Sequence, residues 1–225
     1  MINSNTSEFL KRLLSGVILL ICFAGSYLHS LLLYQFFLCT VLILILFNEW
    51  PQFVSYKRID HILYTFIYPI TPMALLFWLT RKFYTTDFYL PLYPFLVAWS
   101  ADTFGYLVGK RLGRHKMCPT ISPGKSWEGL MGSWCGVFIM HLWAVPRISL
   151  FSSTIIVHST VTMFAFSGVM TMIAFWGGFF LSYLKRAHNL KDAGHLLPGH
   201  GGFLDRFDSV FFVAPVTVLL VLIFQ

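Results

Sequence analysis

Seven apolar runs set the terms for this chain: residues 13–28, 31–47, 62–79, 90–108, 127–145, 155–184 and 209–224. Most approach the roughly 20 residues that a helix needs to cross a bilayer. Only 11% of the 225 residues are charged, against about a quarter in soluble domains, so polar surface for water is scarce. The expected fold class is all-α, a polytopic integral membrane helical bundle of about seven transmembrane helices. Residues 148–184 are long for one span and polar in their first half. One crossing with an interfacial start is expected there; a second crossing would make eight. The first run lacks a small-x-small cleavage pattern and the second follows at once, so it reads as a span, not a signal peptide.

The net charge of +7 raises nucleic acid as a partner, but the positions of the charges exclude it. With seven spans and a cytoplasmic N-terminus, thirteen cations fall on the inside: Lys11, Arg12, Lys57, Arg58, Lys110, Arg111, Arg114, Lys116, Lys125, Lys185, Arg186, Lys191 and Arg206. Three fall outside, at Arg81, Lys82 and Arg147. That asymmetry is what the positive-inside rule produces. The basic excess is mainly topology, with some left for an anionic ligand. Cys22, Cys39, Cys118 and Cys135 form no CxxC pair and are expected to be small buried hydrophobes.

No repeat or linker divides the chain, so a single integrated domain is expected, its two halves unlike. Residues 1–90 are apolar spans with short loops, and their acids, Glu8, Glu49, Asp60 and Asp87, lie near span ends. They read as scaffold and lipid contact. Residues 91–225 carry two polar blocks, at 100–129 and 181–210, which hold five of the nine acids. Both blocks are expected on the cytoplasmic face, with loops at 109–127 and 185–208, where they can build one site.

Asp102 sits late in an apolar run. A charge at a membrane-helix centre costs about 2.5–3.5 kcal/mol on insertion scales, so such residues are usually functional and face a bundle interior. Gly105, Gly109 and Gly113 follow at four-residue spacing and read as a helix-packing stripe. Ser122-Pro123-Gly124-Lys125-Ser126-Trp127-Glu128-Gly129 is no Walker loop, because Pro119 stands where that pattern needs glycine. What remains is a turn before a helix. Free N–H groups with Lys125 and Ser126 make an anion site, and Ser126 as N-cap with Glu128 in the first turn makes a capped helix start; the two are compatible.

In the second block Asp205 and Asp208 are three apart, on one face if the last helix begins there. Asp192 lies across a glycine-rich loop from them. Clustered carboxylates without thiolates suit a hard cation such as Mg²⁺, which takes one or two carboxylates plus substrate phosphates. Lys185, Arg186, Lys191 and Arg206 supply phosphate partners. His188, His195 and His200 match no usual zinc spacing. His200 precedes Gly201-Gly202, whose backbone can approach a ligand closely, and reads as a hydrogen-bonding or positioning residue.

These residues resemble the phosphatidate cytidylyltransferases, or CDP-diacylglycerol synthases. Ser182, Lys185, Arg186, Lys191, Asp192, Gly194, Leu197, Pro198, His200, Gly201, Gly202, Asp205, Arg206 and Asp208 fill that family's signature without a gap. The first block is similar to its other characteristic region, through Asp102, Gly109, Lys110, Gly113, His115, Lys116 and residues 122–129. One departure stands out: the family's usual Gly-Asp-x-x-Glu-Ser is here Gly177-Gly178-Phe179-Phe180-Leu181-Ser182.

The resemblance implies a nucleotidyltransferase of phospholipid biosynthesis that joins CTP to phosphatidate in a cytoplasmic membrane, its site facing the cytoplasm. It implies catalytic roles for Asp102, Lys191, Asp192, His200, Asp205 and Asp208, and substrate contacts by Ser122, Lys125, Ser126, Lys185, Arg186, Gly201, Gly202 and Arg206. Mg²⁺, with room for a second cation, is expected on Asp102, Asp192, Asp205 and Asp208. The partners are CTP, phosphatidate and membrane lipid; a homo-oligomer is compatible with the pattern. The alternatives are a divergent or inactive paralogue acting on another phospho-lipid, a membrane transporter, and a CDP-alcohol phosphotransferase. The last ranks lowest, because its Asp-x-x-Asp-Gly motif with further aspartates downstream is absent.

Overall fold

The computed structural model describes residues 4–152, 154–199 and 201–225. Each apolar run becomes helix. In order these are α1 (Ser4–His29), α2 (Leu31–Leu44), α3 (Ile59–Thr65), α4 (Thr71–Phe83), α5 (Tyr93–Leu112), α6 (Trp127–Ala144), the single turns α7 (Ser149–Ser152) and α8 (Ile155–His158), α9 (Thr160–Ala187) and α10 (Leu204–Phe224). The one sheet is a two-stranded antiparallel hairpin, β1 (Lys116–Cys118) with β2 (Ser122–Ser126).

Two helical segments widen locally. Beyond α2 the chain runs through a π turn at Ile45–Glu49 and a 3₁₀ turn at Trp50–Gln52. Pro69, which has no N–H to give, sits in the π turn Phe66–Ile70 that joins α3 to α4. Among the described residues five helical segments are long and apolar enough to cross a membrane: Leu31–Gln52, Ile59–Phe83, Trp127–Arg147, Thr160–Ala187 and Leu204–Phe224. Leu13–His29 is a shorter apolar helix, and the 20-residue α5, which carries Asp102, Lys110 and Arg111, is not among the five. The protein is an integral membrane protein of all-α class. Among the described residues of 148–187, only α9 is long enough to span.

Contacts group the chain into two compact units that differ from the expected halves. One comprises residues up to Arg81 together with Leu184–Phe207; the other comprises Lys82–Tyr183 with Asp208–Gln225. The loop between α9 and α10 thus belongs with the N-terminal helices. In the first unit Tyr34, Leu38, Val41, Ile45 and Trp50 are buried, and the Trp50 indole N–H donates to Thr65 Oγ1 at 2.7 Å.

In the second unit α5 packs on α6 through glycine, as the stripe predicts. A methyl group added to Gly129 would lie 3.1 Å from the Gly105 carbonyl oxygen and 3.3 Å from the Gly109 Cα. The same unit buries a polar chain of Tyr93, His141 and Ser167. The Ser167 hydroxyl donates to the Met163 carbonyl at 2.7 Å, so His141 Nδ1 donates to Ser167 Oγ (2.7 Å) and Nε2 accepts from Tyr93 (3.0 Å). The cysteines overturn their expectation. All four are free, and Cys22, Cys39 and Cys135 lie exposed on outward helix faces, where in a membrane the apolar solvent is lipid.

Candidate active site

The first polar block closes a cavity of about 250 Å³ in the second unit. Asp102 reaches it from α5, Ser122, Lys125 and Ser126 from β2, Ser133 from α6, and Thr171 and Phe175 from α9. The close α5–α6 approach brings residues some twenty positions apart to one place. Ser126 is in extended conformation, and its hydroxyl accepts the Gly129 N–H at 3.1 Å, so the capped helix start is realised. Glu128 in the next turn accepts from His115, ring nitrogen to carboxylate at 2.6 Å, and ties the hairpin to α6.

Lys125 crosses to α9. Its ammonium donates to the Phe175 carbonyl at 3.0 Å and sits 4.3 Å from the Phe175 ring centre. It also faces Gly178: a methyl group there would lie 3.2 Å from Lys125 Nζ and 3.3 Å from Asp208 Oδ2. The absent side chain at 178 therefore leaves a recess lined by an ammonium and a carboxylate. Asp208 occupies the first turns of α10, half-buried.

The signature loop in the first unit forms a second cavity of about 430 Å³, lined by Lys191, Asp192, His195, Leu197, Pro198, Gly199, Gly201 and Arg206. Lys191, Asp192 and Arg206 are exposed there. Gly199 and Gly201 adopt φ of +76° and +79°, which the turn requires and other residues resist. The Leu197 N–H closes that turn on the Gly201 carbonyl at 2.9 Å. Arg186 is exposed, and Gly202 is buried. His200 lies outside the described residues.

Asp205 differs from its expected metal-binding role. Its Oδ1 takes the Lys185 ammonium at 2.7 Å, and its Oδ2 takes the N–H groups of Ala193 (2.8 Å) and Gly202 (3.0 Å). Both oxygens are committed to holding the loop, and Lys185 is committed with them. Asp192 does approach Asp205: both flank Gly201, where an added methyl would lie 2.7 Å from Asp205 Oδ2 and 3.5 Å from Asp192 Cβ. Among the described residues no three His, Cys, Asp or Glu side chains gather as a metal-holding group. The donor set that fits a cation is thus one or two carboxylates completed by substrate phosphates, as Mg²⁺ accepts. Asp208, beside the bare face of Gly178, fits it; the Asp205 oxygens already hold the loop.

The sequence model of the cytidylyltransferase family matches residues 57–224, which include both polar blocks. The chain belongs to the cytidylyltransferase family. Curated relatives bear one name, phosphatidate cytidylyltransferase. That of Rickettsia prowazekii is 34% identical over 210 residues, covering 91% of this chain and 88% of the relative. That of Rickettsia felis is 33% identical over 208 residues, with the same coverage. That of Haemophilus influenzae is 34% identical over 180 residues, 78% of this chain and 62% of the relative.

As a cytidylyltransferase the chain holds its signature loop with residues that precede the family match. Glu49, read from sequence as a span-end acid of a scaffold, is fully buried. Its two oxygens accept the N–H groups of Phe203 (2.8 Å) and Leu204 (2.7 Å), at the start of α10. Gln52 donates to the Ala193 carbonyl at 2.9 Å, and Ser15 to the Pro198 carbonyl at 2.9 Å. One sequence signal pointed to Glu49: it follows directly on an apolar run, where acids are rare and usually face the protein interior.

Proposed function

We propose that this chain is a phosphatidate cytidylyltransferase, joining CTP and phosphatidate to give CDP-diacylglycerol and pyrophosphate. The observation that carries the reading is the cavity where Asp102, Ser122, Lys125 and Ser126 meet. The resemblance gives Asp102 a catalytic role and Ser122, Lys125 and Ser126 substrate contacts. The name borne by the relatives from Rickettsia supports it over nearly the whole chain.

In this reaction a phosphate oxygen of phosphatidate attacks the α-phosphorus of CTP. The bond from that phosphorus to the bridging oxygen breaks, and pyrophosphate leaves with the electron pair. The attacking oxygen is already anionic, so no proton must be removed first. Catalysis then rests on alignment and on charge neutralisation. Lys125 would meet the triphosphate, and N–H groups left free at the start of α6 would add to it. Lys191 and Arg206, exposed in the loop cavity, would take phosphate oxygens, with Asp192 and His200 ordering that loop. Bound Mg²⁺ would neutralise charge on the triphosphate, and Asp208 and Asp102 are the residues that would hold it.

The inside-loop cations set both polar blocks toward the cytoplasm, where CTP arrives from water while the lipid enters from the leaflet. The test is conversion of labelled CTP to CDP-lipid by purified full-length protein in phosphatidate micelles, with and without Mg²⁺. Mg²⁺-dependent product formation is expected. No product under any cation would overturn the reading in favour of a divergent member acting on another phospho-lipid.

A further inference from the structure

Glu49 is wholly withdrawn from solvent, yet it makes no ion pair among the described contacts; both oxygens go to the backbone of one turn. Two signature glycines are shaped around it. A methyl group on Gly202 would lie 2.6 Å from its carboxylate carbon, and one on Gly194 would lie 2.8 Å from its Cγ. One turn further along the same helix, Gln52 takes the Ala193 carbonyl, while Asp205 takes the Ala193 N–H. Ala193 is therefore gripped on both sides, directly after Lys191 and Asp192. The turn at 202–204 is gripped by two carboxylates, directly before Arg206.

We propose that Glu49 and Gln52 are positioning residues of the reaction: from outside the family's characteristic blocks, they fix the loop that presents Lys191, Asp192 and Arg206. The proposal rests on the phosphatidate cytidylyltransferase reading, in which those three side chains meet substrate phosphates. A glutamine at 49 has nearly the same shape but offers one acceptor and one donor group. Its amino group would then face the Phe203 or Leu204 N–H, donor against donor, and a buried N–H would lose its partner. Loop geometry suffers while the helix that bears residue 49 keeps its packing.

The experiment compares full-length wild type, Glu49→Gln and Gln52→Ala in detergent, by amide hydrogen exchange and by CDP-lipid formation. In Glu49→Gln, exchange at 193 and 202–204 rises about tenfold or more, while α5, α6 and the body of α9 exchange as in wild type. kcat falls about tenfold or more, and KM for CTP, read here as bound at Lys125, moves less than about threefold. Gln52→Ala, which removes one bond and no charge, gives the same pattern at a smaller amplitude. It decides the matter if Glu49→Gln does not accumulate. Unchanged exchange at 193 and 202–204, or exchange rising equally throughout the chain, overturns the proposal. If wild type makes no CDP-lipid, the functional reading fails, and the loop exchange still decides what Glu49 does.

Discussion

Asp205→Asn separates the two roles that this carboxylate could have. The Lys185–Asp205 pair is 2.7 Å long, with the side chains only 16% and 6% exposed. An exposed pair contributes about 0–1 kcal/mol, but removing one partner of a buried pair costs about 3–5 kcal/mol, because the remaining charge stays desolvated. The asparagine carbonyl can replace Oδ2 and keep both the Ala193 and Gly202 N–H groups. Its amino group then points at the Lys185 ammonium, donor toward donor. The loss is mainly the orphaned lysine. Its remaining exposure puts the cost at the lower end of that range, about 3 kcal/mol.

For a chain of this size that corresponds to a melting temperature lower by about 6–12 °C. The assay is thermal unfolding in detergent at a fixed scan rate, on Asp205→Asn, Lys185→Met and the double variant. The double variant removes the unpaired charge and should recover most of the loss, a coupling of about 2 kcal/mol. An Asp205→Asn protein that melts within about 2 °C of wild type yet has lost turnover would refute the reasoning. Asp205 would then act on the substrate or its metal, and its contacts with the loop would be incidental.

Four further substitutions probe the other unit. Asp208→Asn should leave the melting temperature within a few degrees and reduce turnover by about a hundredfold or more, measured at saturating Mg²⁺; a rate near wild type would remove Asp208 from the site. Lys125→Ala should raise KM for CTP by about tenfold or more, through loss of an ammonium held against α9, and initial rates across a CTP series check it. The neighbouring glycines of α9 should respond in opposite ways to alanine. Gly177→Ala drives a methyl to 2.6 Å from the Asp208 carbonyl oxygen and 2.8 Å from Ser209 Cα, backbone that cannot yield, so about 1–3 kcal/mol of stability is lost. Gly178→Ala meets only the ends of Lys125 and Asp208, which can move, so stability is kept while turnover falls.

The helical fold was legible because membrane solvent leaves a long, simple signal. Each of the seven apolar runs becomes helix, and the polar stretch around the start of the sixth is set apart as two single turns. The close helix approach at the Lys125 cavity was legible too, because Gly105, Gly109 and Gly113 form a packing stripe on α5. Asp205 and Glu49 were not legible. Spacing shows that Asp205 and Asp208 share a turn of α10, but it cannot show that Lys185, twenty residues earlier, takes one of those carboxylates. Glu49 meets its partners 154 and 155 residues away, and its place beside an apolar run does not show which loop it holds. Its burial is a tertiary fact, decided by which loop folds over the end of α2.

The two acids that the family pattern expects and this chain lacks differ in consequence. Leu181 is fully buried on α9. A glutamate there would need a buried partner to offset its desolvation, whereas leucine needs only packing, so this exchange replaces one self-contained arrangement by another. Gly178 is different, because it faces chemistry. An aspartate at that position would set a second carboxylate beside Asp208, close to the Lys125 ammonium. Lys125 donates to the Phe175 carbonyl and faces the rings of Phe175 and Phe179. The recess at 178 is thus one negative charge poorer than the family pattern. Attraction for a nucleotide triphosphate there rises and attraction for a cation falls. Position 178, and not 181, is where the lost acid bears on the proposed binding of nucleotide and cation.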